Sequence, residues 1–339
     1  MKSQFFNINF EITHSCNLKC KYCYNSTILG NSDSSRSINT IKKLYSKAKI
    51  KQLTISGGEP LLSDLLIECI LHAKINGSKV AVITNATINN DNKYKELINF
   101  GVDFQITLNS INQKVYDFLS GKEGYLKNVL KNIKLILANN GRIIPTVILT
   151  KYNLSTIQDT FLFLKENNLN TIIVNRYNLS NNPHYKELTL NHNELRKGYN
   201  IIDNLAAKYG LIITSNVCTP HCIINPSDYS NIHFGLCPDD SKMKPLTVDY
   251  KGNFRLCNHS MINLGNIYND SFEDMLYSDY SLSWISSIPD YCNDCEKYDK
   301  CKGGCKAAAE QIEGTKDKVD PIVKLNETQP LTCNIKNWG

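Results

Sequence analysis

The sequence predicts an α/β protein with a partial (β/α)6 TIM-like barrel, followed by a loop-rich, cysteine-rich domain. Strand-like and helix-like segments alternate from about residue 4 to about residue 177. Such alternation implies parallel strands joined by right-handed crossovers. Nine of the 13 cysteines lie after residue 217, where we find no long periodic segment except a short helix near 271–277. We therefore expect a barrel domain at residues 1–215 and a second domain at residues 216–339.

The barrel strands are recognised by short runs rich in β-branched and aromatic residues. They are predicted at residues 5–13, 51–56, 79–84, 103–108, 145–150 and 171–176. Helical patterns fill the gaps, and one of them, at 124–141, ends on Gly141, where we expect the helix C-cap. Residues 191–209 resemble one more amphipathic helix, followed by a short strand. Because six units are fewer than the eight of a closed barrel, we expect an open one.

Apolar and polar residues alternate along these strands, as Ile8, Phe10 and Ile12 show in the first. The apolar face must meet the helices, so the polar face is predicted to line a wide, ligand-filled lumen. The alternative is an antiparallel sheet with one wet face. The candidates for substrate contact in the lumen are Asn7, Glu11, Gln105 and Asn175.

Composition narrows the function classes. The net charge is +6, but no basic block with interleaved aromatic residues is present, so we expect no nucleic-acid partner. No apolar run is long enough to span a membrane, and the N-terminus lacks the apolar core of a signal peptide. Thirteen cysteines without an export signal indicate metal or redox chemistry in a cytoplasmic protein rather than disulfide bonds.

The stretch "CNLKCKYC" holds Cys16, Cys20 and Cys23 directly after the first predicted strand. On a helix these positions would share one face, so a buried cysteine stripe is one interpretation. The polar residues between them, such as Lys19 and Lys21, instead favour a loop around an iron–sulfur cluster. A [4Fe–4S] cluster held by three thiolates leaves one iron open to a ligand that is not protein.

This spacing, C-x3-C-x2-C with Tyr22 before the last cysteine, resembles the radical SAM superfamily. The resemblance implies that the amino and carboxylate groups of S-adenosylmethionine chelate the open iron. It also implies that an electron from the cluster splits the cofactor into methionine and a 5′-deoxyadenosyl radical, which abstracts hydrogen from a substrate.

Further barrel motifs extend the resemblance. The segment "SGGEPLL" at 56–62 matches the glycine-rich motif of the family: Gly57 and Gly58 permit close backbone approach, and Glu59 would accept from the methionine ammonium. Polar residues at three later strand ends are candidate cofactor contacts, with ordinary turn residues as the alternative. The complete set of implied cofactor contacts is Tyr22, Gly57, Gly58, Glu59, Pro60, Thr84, Asn85, Thr107, Asn109 and Asn153.

The C-terminal cysteines resemble the seven-cysteine SPASM extension of radical SAM enzymes. That pattern runs through Cys237, Cys257, Cys292, Cys295, Cys301, Cys305 and Cys333. The resemblance implies two auxiliary [4Fe–4S] clusters and three clusters in total. One would use Cys292, Cys295, Cys301 and Cys333.

The other auxiliary cluster would use Cys237, Cys257 and Cys305. Its fourth ligand is Cys218, Cys222 or none, in which case one iron is open to substrate. Zinc bound by the C-x2-C pair is the alternative for the tail. Cys69 lies in an apolar helical pattern, and we expect it in the core.

SPASM enzymes most often modify ribosomally made peptides, so the leading hypothesis is a peptide-modifying enzyme that forms a cross-link or oxidises its substrate. Expected partners are a precursor peptide and a flavodoxin or ferredoxin as electron donor. Because only 15 residues precede Cys16, a separate leader-recognition protein is also expected if the precursor is not bound directly.

Two alternatives are a radical dehydrogenase or mutase acting on a small molecule, and a metal or redox module without this chemistry. Asn258 stands where sulfatase-maturing members carry an aspartate base, which disfavours that activity, and we expect His259 at the surface. The sequence identifies no catalytic acid or base.

Overall fold

The structure, a computed structural model, describes residues 5–326. These residues form one 11-stranded sheet covered by helices. The strands are β1 Phe5–Thr13, β2 Lys49–Gly57, β3 Lys79–Thr84, β4 Asp103–Thr107, β5 Arg142–Leu149, β6 Thr171–Arg176, β7 Ile212–Ser215, β8 Ile232–Phe234, β9 Leu246–Asp249, β10 Asn253–Arg255 and β11 Gly265–Asn266. The helices are α1 Ser37–Lys47, α2 Leu66–Ile75, α3 Asp91–Asn99, α4 Gln113–Ser120, α5 Leu126–Ala138, α6 Ile157–Glu166, α7 Tyr185–Leu188, α8 His192–Tyr209, α9 Phe272–Leu276, α10 Asp279–Ser286, α11 Tyr298–Cys301 and α12 Lys306–Glu313.

Strands β1 to β8 lie side by side in chain order and are all parallel. On its other side β1 pairs in parallel with β9, which continues into β10 and β11 as antiparallel strands. The parallel pairing confirms the partial barrel and excludes the antiparallel alternative. Because β8 and β11 stand at opposite ends of the strand order, the barrel is open, as predicted.

Most barrel strands match their predicted bounds, and β1, β3 and β6 begin and end where predicted. Strand β5 starts earlier, at Arg142, because Pro145 lies inside it rather than at its start. Proline lacks the amide hydrogen of a sheet ladder and usually marks a strand beginning, which explains the misplaced start.

The expected C-cap at Gly141 is wrong. Helix α5 ends at Ala138, and the residue with left-handed backbone is Asn140, whose φ is 61°. Asparagine enters this region more readily than most residues. Gly141 serves close packing instead, because a Cβ there would lie 2.5 Å from Cγ2 of Ile136 and 2.9 Å from Cγ1 of Ile98.

The tail contains more regular structure than the sequence suggested, so the expectation of one short helix there is wrong. Helices α10, α11 and α12 were missed. All residues of α12 from Lys306 to Gln311 are buried although three of them are polar, so residue polarity does not mark the buried positions of this short helix. The sheet also crosses the predicted domain boundary at residue 215, since β9 pairs with β1; the two-domain division stays a prediction.

The apolar face of the barrel strands packs under the helices, as the alternation predicted. Phe10, Leu53, Val82 and Phe104 are fully buried there. Cys69 of α2 belongs to the same core and is also fully buried, which confirms its expected place. Among the described residues, no helix is both long and apolar enough to cross a membrane.

A buried ion pair joins the barrel to the tail. Arg176, the last residue of β6, is 1% exposed and pairs with the fully buried carboxylate of Asp320. The same guanidinium donates to the Cys218 carbonyl at 2.8 Å and to Oγ1 of Thr219 at 3.1 Å. Asp320 in turn accepts from the Cys305 amide at 2.8 Å. Burial raises the pKa of Asp320, and Arg176 opposes that shift.

We predict that Asp320→Asn destabilises the protein strongly, because it leaves the buried Arg176 without a counter-charge. Removing one partner of a buried pair costs about 3 kcal/mol or more in the free energy of unfolding. The matched control is Asp103→Asn, whose partner Arg142 is 76% exposed and whose loss should cost below about 1 kcal/mol. Anaerobic urea unfolding of both variants measures the two losses in the free energy of unfolding. Equal losses would contradict the larger contribution expected of the buried pair.

Candidate active site

The first three cysteines lie on a loop that follows β1. Cys16, Cys20 and Cys23 are half-buried and line a cavity of about 560 Å³. The loop is held by the end of α4, because Lys19 N donates to the Ser120 carbonyl at 3.1 Å and Lys21 N donates to the Leu119 carbonyl at 2.9 Å. The cysteine loop is therefore fixed by backbone bonds and not only by a bound group.

The residue after α4 makes this backbone pairing possible. Gly121 has a φ of 68°, and a Cβ there would lie 2.2 Å from the Lys19 carbonyl oxygen. Only glycine tolerates both the left-handed backbone and that approach. Sequence reasoning missed Gly121, although a glycine directly after a helix is a common termination signal.

The three thiols are shielded from water. Burial raises the pKa of Cys23 to about 12 and also raises the pKa of Cys16 and Cys20, while the three sulfurs repel charge on one another. Thiols bind metal as thiolates, so loading this site releases their protons. In the described part of the chain, no three Cys, His, Asp or Glu side chains converge closely enough to bind a single ion. The three cysteines of the first loop therefore line a cavity and do not form a single-ion site.

The glycine-rich motif lies directly against the start of this loop. A Cβ on Gly57 would stand 2.2 Å from the Thr13 carbonyl oxygen, and one on Gly58 would stand 2.1 Å from the Ser15 carbonyl oxygen. Gly58 N donates to the Thr13 carbonyl at 2.7 Å, and Glu59 N donates to the Ser15 carbonyl at 2.9 Å. The close approach expected at both glycines is therefore made to the cysteine loop itself.

Glu59 is fully buried and holds the end of β3 in place. One carboxylate oxygen accepts from Oγ1 of Thr84 at 2.7 Å and from Leu61 N at 3.1 Å, and the other accepts from Asn85 N at 2.8 Å. Burial raises its pKa. Three predicted site residues thus share one network, with the buried Pro60 beginning the next turn. The contact between Glu59 and a methionine ammonium stays a prediction.

A ring of side-chain bonds connects this network to the cysteine loop. Asn85 Nδ2 donates to Oδ1 of Asn17 at 3.0 Å, Asn17 Nδ2 donates to Oγ1 of Thr87 at 2.7 Å, and that hydroxyl donates to Oδ1 of Asn85 at 2.6 Å. Asn17 lies between two of the cysteines. Sequence reasoning missed its role because its partners are about seventy residues away.

The predicted residues at the ends of β4 and β5 differ in their surroundings. Asn153 is fully buried and donates to the carbonyls of Asn109 and Ile148 at 2.9 and 2.8 Å, which favours the alternative of a strand-end residue. Asn109 is 3% exposed, and its Nδ2 has no partner among the described residues. A buried donor of this kind fits a polar ligand. Thr107 shares the lumen face of β4 with Gln105.

Tyr22, the aromatic residue of the cysteine loop, is half-buried. Its ring packs on a small cluster formed by Leu119, Tyr177 and Leu188. Its hydroxyl is bonded to Cys20, and burial together with the charge of that thiol raises the pKa of Tyr22. The side chain thus anchors the loop, and a cofactor contact at this residue stays a prediction.

A second cavity, of about 490 Å³, fills the barrel lumen. Asn7, Gln105 and Asn175 line it from the strands, as predicted. Glu11 does not, because its fully buried carboxylate pairs with Arg255 and accepts from Asn25 at 2.9 Å. Burial alone would raise the pKa of Glu11, but His14 and Arg255 hold it below its ordinary value. The expectation of a substrate contact at Glu11 is therefore wrong.

Four cysteines of the tail line the opposite side of the same lumen. These are Cys218, Cys237, Cys257 and Cys305. The Cys218 thiol is hydrogen-bonded to Cys237, and the charges of Cys237, Cys305 and Cys257 all act on Cys218. The structure thus brings Cys218, and not Cys222, to the group whose fourth member the sequence left open.

The remaining cysteines form a separate group beside it. Cys292 and Cys301 are buried, and the charge of Cys295 acts on Cys301, whose pKa is raised chiefly by burial. His221 N donates to the sulfur of Cys301 at 3.3 Å, which places the segment carrying Cys222 next to this group. Cys333, the fourth ligand expected here, lies outside the described residues.

His259 faces the lumen cavity, so its expected surface position is wrong. Its ring stacks on Tyr24, with centroids 4.2 Å apart, and its Nδ1 lies 3.3 Å from Nδ2 of Asn178. Burial lowers its pKa to about 4, and the nearby Arg176 and Arg255 act in the same direction. The imidazole is therefore neutral at pH 7.

Asn258 lines the lumen next to His259 and donates to the Tyr24 hydroxyl at 3.4 Å. Its carboxamide cannot take up a proton, so the site lacks the carboxylate base expected of sulfatase maturation. The neutral imidazole of His259, the next residue, lines the same cavity and is able to accept a proton.

An open parallel barrel with one cysteine loop at its first strand and two cysteine groups in its tail defines an iron–sulfur enzyme. Residues 10–164 match the family model of the Radical SAM superfamily. This match spans most of the barrel, and the similarities described next extend into the cysteine-rich tail, which supports a radical SAM enzyme with an extension of the SPASM type. Members bind a [4Fe–4S] cluster and S-adenosylmethionine in the barrel.

Relatives cover the chain to different extents. The PqqA peptide cyclase of Gluconobacter oxydans is 21% identical in an alignment of 335 residues. The alignment covers 93% of this chain and 89% of the cyclase. The uncharacterized protein MJ0804 of Methanocaldococcus jannaschii is 32% identical over 150 residues, or 43% of this chain, and the chain spans about half (48%) of that relative.

Among solved structures, Streptococcus suis SuiB bound to precursor peptide SuiA is similar in fold. Its TM-score is 0.76 at 15% identity, over 94% of this chain and 75% of SuiB. The similarity therefore includes the tail as well as the barrel.

We predict that Gly58→Ala prevents assembly at the first cysteine loop, because the new Cβ would collide with the Ser15 carbonyl. Anaerobic reconstitution should yield about four irons fewer, one [4Fe–4S] cluster, than the wild type. Gly198→Ala is the control: its Cβ meets only side-chain methyl groups of Leu154 and Leu149, and its iron content should not change. Full iron loading of Gly58→Ala would contradict the proposed close approach.

A second prediction separates the two upstream tail cysteines. Cys218→Ala should remove one ligand from the group that contains Cys237, Cys257 and Cys305, and so alter the spectrum of that cluster or lose it. Cys222→Ala should leave the same signal intact. Electron paramagnetic resonance of the reduced proteins checks both, and the reverse pattern would show that the ligand assignment is wrong.

Proposed function

We propose that this chain is a radical SAM enzyme that modifies a peptide and holds three [4Fe–4S] clusters. The observation that carries the proposal is the lumen cavity, bounded on one side by polar strand residues and on the other by Cys218, Cys237, Cys257 and Cys305. A substrate in this space lies between the SAM-binding end of the barrel and an auxiliary cluster.

The residues of the first loop suit the SAM-binding cluster. Cys16, Cys20 and Cys23 supply three thiolates around a cavity, which leaves one iron for the cofactor. When bound, the pair supplies hydrogen-atom abstraction through reductive cleavage of S-adenosylmethionine. The motif backbone at Gly57–Glu59 would support the pair indirectly, by fixing the cysteine loop, and the unpartnered amide of Asn109 offers a polar contact.

The lining of the lumen supports a peptide substrate. In the described residues this lining carries several carboxamides and no carboxylate. Two of the carboxamides hold buried atoms without partners: Nδ2 of Asn9, a donor, and Oδ1 of Asn178, an acceptor. Backbone amides of a peptide offer the complementary acceptor and donor.

The comparisons agree with this substrate class. The PqqA peptide cyclase resembles the chain over nearly its whole length, and SuiB has been crystallised with a precursor peptide. By analogy we propose that the modification is a cross-link or an oxidation, which removes two hydrogen atoms from the peptide.

The auxiliary sites complete the proposed redox chemistry. One cluster would lie beside the substrate, held by Cys218, Cys237, Cys257 and Cys305. The other would be held by Cys292, Cys295, Cys301 and Cys333. We propose that the cluster beside the substrate takes up the second electron of the oxidation. A flavodoxin or ferredoxin as donor, a separate leader-recognition protein and a cytoplasmic location are part of the same proposal.

Two measurements on anaerobically reconstituted protein test this function. Wild type should hold about twelve irons and the triple variant Cys16→Ala/Cys20→Ala/Cys23→Ala about eight, at four per cluster. Under reducing conditions the wild type should convert S-adenosylmethionine to 5′-deoxyadenosine, and the triple variant should not. No 5′-deoxyadenosine from fully loaded wild type would overturn the proposed chemistry.

The peptide assignment has its own test. A short open reading frame beside the gene supplies the candidate precursor, and mass spectrometry after turnover should show that peptide lighter by two hydrogen atoms. A pathway of small-molecule enzymes in the same neighbourhood, with an unchanged peptide mass, would favour the dehydrogenase or mutase alternative instead.

A further inference from the structure

We propose that Lys244 raises the reduction potential of the auxiliary cluster at Cys218, Cys237, Cys257 and Cys305, and so makes that cluster the electron acceptor. The inference rests on the function proposed above, since it requires a cluster at these four cysteines. It assigns to Lys244 a positioning and tuning role that the cysteine pattern does not reveal.

The placement of Lys244 is unusual for a lysine. The side chain is 2% exposed and lines the lumen cavity together with the four cysteines. Its ammonium donates to the Pro238 carbonyl at 2.7 Å and to the sulfur of Cys237 at 3.2 Å. It also lies 5.6 Å from the centre of the Trp284 ring. The ammonium is therefore aimed at a cluster ligand.

The charge balance supports this assignment. Among the described residues Lys244 has no carboxylate within ion-pair distance, although burying an unpaired ammonium is costly. Its negative partner is the Cys237 thiolate. A cluster ligand must be a thiolate, and the Cys237 sulfur accepts from the Lys244 ammonium at 3.2 Å. The site is thus organised for negative charge on sulfur.

Other buried donors converge on the same place. The indole of Trp284 lines the same cavity as Cys237, and its buried N–H has no hydrogen-bond partner among the described residues. Asn178 Nδ2 donates to the sulfur of Cys305 at 3.2 Å. Lys306, 4% exposed, brings a second ammonium into the lining, held by the carbonyls of Trp284 and Ser287.

Positive charge and N–H donors at cluster sulfurs stabilise the reduced state, because each added electron increases the negative charge. In a site screened from water this effect is larger than at the surface. The first loop differs: among the described residues, no lysine ammonium is hydrogen-bonded to Cys16, Cys20 or Cys23, whereas Lys244 is bonded to Cys237. Clusters bound at the two sites are therefore predicted to differ in reduction potential.

The electron balance follows from this difference. After one hydrogen atom has left the peptide, the carbon radical gives one electron to the auxiliary cluster and one proton to solvent as the new bond forms. A cluster held by these four cysteines would accept this electron, and a carrier of the flavodoxin or ferredoxin class would take it away. The peptide is thereby oxidised by two electrons in total.

The test is a redox titration of reconstituted protein followed by electron paramagnetic resonance, using the signal that Cys305→Ala abolishes. Lys244→Met should shift the midpoint potential of that signal to a more negative value at unchanged iron content. The midpoint potential of Lys244→Arg, which keeps the positive charge, should stay nearer to the wild-type value. Lys93→Met is the control, because its ammonium also bonds two backbone carbonyls but lies beside the glycine-rich motif.

Lys244→Gln keeps an N–H donor without the charge. It replaces Lys244→Met in the test if that variant takes up little iron. An unchanged midpoint in a fully loaded Met or Gln variant would overturn the inference while leaving the proposed function intact. Loss of the cluster from both variants would also overturn it, since Lys244 would then be needed for assembly. Wild type without any cluster signal dependent on Cys305 would overturn the proposed function and the inference together.

Discussion

The arrangement of the four cysteines that line the lumen depends on one buried charge pair, Arg176 with Asp320. The guanidinium stands at the end of β6 and holds the backbone at Cys218, while the carboxylate holds the backbone at Cys305. Two cysteines from distant parts of the tail thus take their positions from one barrel residue. Glu11 and Arg255 repeat this design at β1, where the pair fixes the strand that leads into Cys257. The tail is therefore fastened to the barrel by charge as well as by apolar contact.

On the barrel side, the corresponding constraint is backbone contact between the glycine-rich motif and the cysteine loop. Gly57 and Gly58 allow the loop carbonyls to approach the motif backbone. The Glu59 carboxylate then fixes the end of β3 relative to the motif by hydrogen bonds to Thr84 and Asn85. Because these contacts are all made within the protein, the loop can keep its shape before any cluster is bound. Preorganisation of this kind lowers the cost of binding a cofactor.

Sequence reasoning recovered what local patterns encode and missed what distant partners decide. The alternation in β1 and the spacing of Cys16, Cys20 and Cys23 are short-range signals, and they predicted the open barrel and the first cysteine loop. The choice of Cys218 over Cys222 depends on Arg176, more than forty residues away in sequence. Glu11 fitted the polar face of its strand, but the buried Arg255 opposite removes it from the lumen. Helix α12 escaped detection because it is short and because polar residues such as Lys306 and Gln311 are buried in it by distant partners.

The pairing of β1 with β9 has a consequence for biosynthesis. Strand β1 gains its second neighbour only when residues 246–249 have been translated. Until then one edge of the nascent sheet is open, and unpaired edges attract other chains. Long-range strand pairing of this kind also slows folding. We therefore expect soluble yield in recombinant hosts to depend on slow expression and chaperone capacity as much as on iron supply.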